Sequence, residues 1–152
     1  MRFEIPGYDP FDIETIILDL NGTLTIDGKL IEGVEERILA LREKFRIVLF
    51  TGDTQGTAHR IGKLLDIEVR VTKDALAKAQ EAQTLHPETC ATIGNGRIDL
   101  ELFKTVRLKI LTLQAEGADP QTLLASDVIV PSIKDALDLF LKLKRLIATM
   151  RK

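Results

Sequence analysis

Only one cysteine, Cys90, occurs among the 152 residues, which rules out an intrachain disulfide. Histidine is nearly as scarce, with two in all, so a zinc site built from Cys and His is not expected. Charge of either sign is not in excess: the formal net charge is −2, which gives no electrostatic reason to expect nucleic acid or a membrane surface as partner. No apolar run approaches the ~18 residues of a membrane span, and the opening MRFEIPGYDP has no basic-then-apolar leader. A cytoplasmic protein is the resulting expectation. Internal repeats, low-complexity runs and long linkers are missing too. What is there is apolar material, 45% of the residues, enough for one sizeable core in a single domain spanning residues 1–152.

Short runs rich in β-branched residues alternate with segments of helical period. Ile13–Leu20, Arg46–Thr51, Ile67–Val71, Thr89–Ile93, Val106–Leu111 and Asp127–Val130 read as strands. Val34–Lys44, Thr54–Leu65, Lys73–Leu85, Ile98–Lys104 and Pro120–Ala125 read as helices. Several strands show no polar alternation (IVLF, CATI, VIV), as strands covered on both faces do. The pattern predicts an α/β, three-layer Rossmann-like fold, a mainly parallel sheet with helices on both faces.

Two local devices stand out. The stretch TLTIDGKLI reads as a small flap hairpin over residues 23–31, turning at Asp27-Gly28. At the other end, Ser132 with Asp135 three residues later has the capping-box pattern and opens a C-terminal helix over residues 132–150. The apolar stripe of that helix, widened by Leu139, Leu146 and Met150, suits a cover for the core. It also suits a homo-oligomer formed through the same helix.

Ligands of open parallel sheets bind beyond the carboxyl ends of the strands. Three glycine-containing polar clusters fall there: Asp19-Leu20-Asn21-Gly22-Thr23, Thr51-Gly52-Asp53 and Gly94-Asn95-Gly96-Arg97-Ile98-Asp99. Singly, each has an ordinary reading, since Asn-Gly makes hairpin turns and Asp53 can cap a helix. Their placement at successive strand ends favours a shared site.

In order, DLNGTLT, LFTGDT and IGNGRID resemble motifs one, two and four of the haloacid dehalogenase-like superfamily. More narrowly, they resemble those of the phosphorylation domain of P-type ATPases. The likeness covers roughly residues 13–130. It implies a magnesium (Mg2+)-dependent phosphohydrolase or phosphotransferase without a cap domain, acting on a phosphorylated small molecule or phosphoprotein through an aspartyl-phosphate. By the resemblance, Asp19 is the nucleophile and a metal ligand, joined at the metal by the Asn21 backbone carbonyl, Asn95 and Asp99. Asn21, Gly22, Thr23, Thr51, Gly52 and a lysine would hold the phosphoryl group, with Thr51 and that lysine among the catalytic residues. Lys73 and Lys78 are the candidates for the lysine, and Lys78, followed by Leu85 two helical turns on, fits better.

The sequence departs from the family pattern twice. Asn21 stands where phosphatases of the superfamily carry the Asp that protonates the leaving group, and an amide cannot exchange that proton. Asn95 stands where the fourth motif has a metal-binding Asp, which removes charge that hard cations favour. Slow hydrolysis is the expectation, and a degenerate phosphate- or nucleotide-binding module is the alternative. Both Asn residues precede Gly, so deamidation back to Asp is a further expectation. His59, His86, Cys90, Arg97 and Lys104 read as structural or solvated.

Overall fold

The computed structural model describes residues 1–53 and 56–152. An N-terminal ribbon pairs β1 (Arg2–Phe3) with β2 (Phe11–Asp12), and β3 (Thr15–Leu18) follows. The hairpin β4 (Thr25–Ile26) and β5 (Lys29–Leu30) leads to α1 (Val34–Leu41) and β6 (Arg46–Thr51). Next come α2 (Thr57–Leu65), β7 (Glu68–Val71), α3 (Ala75–Gln83), β8 (Cys90–Gly94) and α4 (Leu100–Thr105). The chain ends with β9 (Leu108–Thr112), α5 (Pro120–Ala125), β10 (Val128–Val130), α6 (Ile133–Leu141) and α7 (Leu143–Met150).

Six strands form one sheet in the order β10-β9-β8-β3-β6-β7, and each pairing in it is parallel. Strand β3 lies near the middle, and its residues face both layers. Ile16 and Leu18 pack with Ile38 and Leu41 of α1 and with Ile133 and Leu137 of α6. Ile17 turns the other way, toward Val48, Phe50, Ala82 and Leu85. This burial on both faces is why the strand carries no polar alternation. Between β3 and β6 the chain holds only the hairpin and α1, with no cap domain. Among the described residues, no helix is long and apolar enough to cross a membrane.

The flap turns where expected, with Asp27 at φ 50° and Gly28 at φ 77°, the paired positive angles of a tight hairpin. The first sheet strand is shorter than its apolar run. Leu20 leaves the ladder because its carbonyl collects the amides of Leu24 and Thr25 at 2.9 and 3.0 Å. Helix α3 starts at Ala75 rather than Lys73, since the Asp74 carboxylate accepts from the Ala77 amide at 2.8 Å and caps it. Thr54, where the sequence opens the next-to-first helix, lies outside the described residues; α2 is seen from Thr57.

The C-terminal helix is two helices. Ser132 caps α6 as predicted, accepting from the Asp135 amide at 3.2 Å. The chain then breaks at Lys142 (φ −128°, ψ 69°) before α7. Leu139, Leu146 and Met150 are all buried by their own chain. The N-terminal ribbon, unmarked by any period, packs Phe3 flat against Phe11 with ring centroids 5.3 Å apart.

Candidate active site

The carboxyl ends of β3 and β8 bring five polar side chains together. The Asp19 amide donates to the Ile93 carbonyl at 3.1 Å, so the backbone under this carboxylate is fixed by β8. From the buried face of α3, Lys78 Nζ reaches Asp19 Oδ1 and Asp99 Oδ1, each at 2.8 Å. Lys78 and Asp99 are each 1% exposed. The Thr23 hydroxyl lies 3.4 Å from Asp19 Oδ2 and 3.2 Å from Asn95 Oδ1. Lys73, the other candidate lysine, is exposed.

Two glycines make this convergence possible. A Cβ on Gly22, whose φ is +77°, would stand 2.5 Å from Asn95 Nδ2. A Cβ on Gly94 would stand 2.6 Å from Asp99 Oδ2.

Electrostatics follow from burial. Desolvation and the neighbouring Asp99 carboxylate push the Asp19 carboxyl up to about 7, against the pull of Lys78. For Lys78, burial works against the charged ammonium, but two carboxylates at hydrogen-bond distance outweigh it and raise its pKa above the ordinary lysine value.

Three sequence expectations meet bonds already made within the protein. Asp99 is held by its own chain. Its Oδ1 binds Lys78 and its Oδ2 accepts the amides of Asn95 and Gly96, both at 3.1 Å, so both oxygens are occupied. Gly22 and Thr23 have no spare backbone donors for a phosphoryl group, because their amides run to Thr25 O (2.8 Å) and Leu20 O (3.2 Å). Deamidation is also disfavoured by geometry, since the attacking amide in each Asn-Gly pair is already engaged. The Gly22 amide is bonded to Thr25 O, and the Gly96 amide to Asp99.

Thr51 and Gly52 stand on the adjacent strand end. Thr51 is buried, and its Oγ1 accepts the Asp53 amide at 3.0 Å; Asp53 in turn accepts the Ala58 amide in the first turn of α2. The Asn21 side chain is exposed. Asn95 is buried, and its Nδ2 donates to the Gly117 carbonyl at 3.0 Å.

A cation would find oxygen donors only. Among the described residues, no group of three or more His, Cys, Asp and Glu side chains is placed to hold a metal. Asp19 Oδ2 and Asn95 Oδ1 nevertheless converge on one hydroxyl, which has a single proton for two acceptors. Such an acceptor-rich spot fits a hard cation such as Mg2+, with one carboxylate supplying charge.

The sequence motifs gave no sign of Gln114, two residues beyond β9. Its Nε2 donates to the carbonyls of Gly22 (3.0 Å) and Thr23 (2.9 Å), and its Oε1 accepts the Ile133 amide at 2.9 Å. Nothing local marks it, because all three partners are remote in sequence.

No family model matches the chain. Two proteins of Methanocaldococcus jannaschii align with parts of it. The uncharacterized protein MJ0073 is 49% identical over 59 residues, 39% of this chain and 63% of its own length, so the match spans less than two thirds of that relative. The uncharacterized protein MJ0072 is 51% identical over 39 residues, 26% of this chain and 89% of its own. Among solved structures, the cobalt-bound deoxy-D-mannose-octulosonate 8-phosphate phosphatase of Haemophilus influenzae superposes with a TM-score of 0.74 at 16% identity. It covers 93% of this chain and 94% of its own. The 3-deoxy-D-manno-octulosonate 8-phosphate phosphatase of Moraxella catarrhalis, in complex with magnesium, phosphate and the KDO molecule, gives 0.70 at 21%, covering 92% and 94%. The narrower likeness to P-type ATPases rests on the sequence motifs alone. The chain therefore belongs with MJ0072 in one family, and its fold is that of the haloacid dehalogenase-like hydrolases.

Proposed function

We propose that the chain is a Mg2+-dependent phosphohydrolase or phosphotransferase working through an aspartyl-phosphate on Asp19. The observation that carries this reading is the buried Asp19–Lys78–Asp99 group at a strand end. A structural ion pair needs no second carboxylate, and burying one raises the cost of the first. The cobalt and magnesium bound in the two phosphatases of like fold support a divalent metal here.

In the proposed reaction, an Asp19 carboxylate oxygen attacks phosphorus, a P–O bond forms, and the bond to the leaving oxygen breaks. Lys78, held by Asp99, offsets the charge on the phosphoryl oxygens, with Thr51 and the Gly52 amide placed to assist from the next strand. Asp19, Asn95 and the Asn21 carbonyl would hold Mg2+, which would supply further charge neutralisation. Asn21 gives the leaving oxygen no proton, so that oxygen takes one from water, and good leaving groups such as acyl phosphates are favoured. Water then attacks the aspartyl-phosphate, regenerating the carboxylate and releasing phosphate. With no base at position 21, this step is slow. The substrate is a phosphorylated small molecule or a phosphoprotein.

Thermal melting with Mg2+ and fluoroberyllate tests the proposal. Stabilisation is expected, and it is expected to disappear in Asp19→Ala. Phosphate release from acetyl phosphate, abolished by Asp19→Asn, is the matching activity. Asn21 and Asn95 favour a second reading, a phosphate-binding module without catalysis. That reading gains if phosphate binds but no phosphorylated Asp19 forms.

A further inference from the structure

We propose that Gln114 is a positioning residue for phosphoryl binding, acting through Thr23. The inference rests on the function proposed above. The turn after β3 is built from two sets of bonds. Inside it, the Leu20 carbonyl gathers the amides of Thr23, Leu24 and Thr25. Outside it, the Gly22 and Thr23 carbonyls point away from the turn and need donors. Gln114 supplies both with one NH2 group. Its oxygen takes the Ile133 amide in the first turn of α6, so the whole side chain is committed to backbone.

The consequence reaches Asp19. With the Thr23 amide held on one side and its carbonyl on the other, the backbone of the residue is fixed, and from it the hydroxyl reaches Asp19 Oδ2 and Asn95 Oδ1. Thr23 is wholly buried, and Gln114 beside it is half-buried. The loop that carries Gln114 also binds the other two parts of the site. The Gly117 carbonyl accepts from Asn95 Nδ2, and the Asp119 amide donates to the Asn95 carbonyl at 2.8 Å. Glu116 accepts the Asp27 amide of the flap at 3.2 Å. One loop thus sets the first motif, the fourth motif and the flap relative to each other.

A double-mutant cycle tests this, with the dissociation constant of fluoroberyllate at fixed Mg2+ as the readout. Gln114→Leu removes all three bonds. Gln114→Glu keeps an acceptor for Ile133 but sets a carboxylate against two carbonyls, and it is read instead if the leucine variant does not fold. Either change is expected to weaken binding about tenfold or more. In a Thr23→Val background, the same change is expected to cost less than about threefold, because the hydroxyl it positions is gone. Equal losses in the two backgrounds, or unchanged binding by both Gln114 variants, would overturn the proposal while leaving the catalytic reading intact. Failure of the unaltered protein to bind the mimic would overturn the catalytic reading and this one together.

Discussion

Lys78 and Asp99 are bonded at 2.8 Å, each 1% exposed, although Lys78 is the residue poised over Asp19. The second carboxylate therefore acts as an anchor for the lysine. Removing the lysine leaves two buried acids facing each other without a counter-charge. Lys78→Ala is expected to destabilise the protein by about 3–5 kcal/mol, read by urea unfolding. Asp99→Asn is expected to cost less stability but to abolish stabilisation by Mg2+ and fluoroberyllate, since Lys78 loses its support.

Asp19 makes stability depend on pH in a direction opposite to most carboxylates. Its folded-state value, about 7, lies above the value of 3.8 for an unperturbed group. Between about pH 4 and pH 7 the folded state holds the extra proton, so stability falls as pH rises through that window. Unfolding of metal-free protein in EDTA across this range should show the decline, and Asp19→Asn should flatten it. A rising curve in both proteins would contradict the assignment.

Cys90 is buried, and burial, with Glu88 and Glu14 nearby, pushes its thiol up to about 11. At pH 8 almost no thiolate is present. Iodoacetamide is expected to label the native protein slowly and the urea-unfolded protein at the rate of a free thiol, as followed by intact mass.

Three threonines separate paired from unpaired hydroxyls. Thr72 and Thr112 are buried with Oγ1 atoms that find no hydrogen-bond partner among the described residues, whereas Thr92 Oγ1 donates to the Ile17 carbonyl at 3.1 Å. A Val of the same shape at 72 or 112 is expected to be neutral or to stabilise the ligand-free protein by about 1 kcal/mol. Thr92→Val is expected to cost about 1 kcal/mol. Melting temperatures of the three variants decide the matter.

The two asparagines offer the test of catalytic strength. Asn21→Asp with Asn95→Asp is expected to raise phosphate release on the order of 10²-fold, by restoring a proton donor. Asn95→Asp alone exchanges a donated bond to the Gly117 carbonyl for repulsion. That variant should melt lower without metal and gain more from Mg2+ than the unaltered protein does.

Much of the fold could be read from periods and strand composition. Runs such as IVLF and CATI, apolar on both faces, predicted a sheet covered on both sides, and the β6 and α5 boundaries were read at their observed residues, Arg46–Thr51 and Pro120–Ala125. The two-residue strands of the N-terminal ribbon show no period because they are too short for one. The break at Lys142 was hidden because the apolar stripe runs on through Leu143 and Leu146. At the site, spacing could nominate Lys73 or Lys78. Only the packing of α3, with Lys78 and Ala82 inward, distinguishes them. Gln114 was out of reach, since its meaning lies in three backbone groups 19 to 92 residues away.

The sheet order also constrains how the chain is made. Strand β3 is synthesised early, but its neighbours arrive late: Thr15 pairs with Arg46 on one side and with Cys90 on the other. Until β8 leaves the ribosome, Ile16, Ile17 and Leu18 present a naked apolar edge to other nascent chains. Fragments ending before Cys90 should therefore aggregate, and Asn95 and Asp99, which join Asp19 and Lys78 at the site, emerge directly after the strand that ends that exposure.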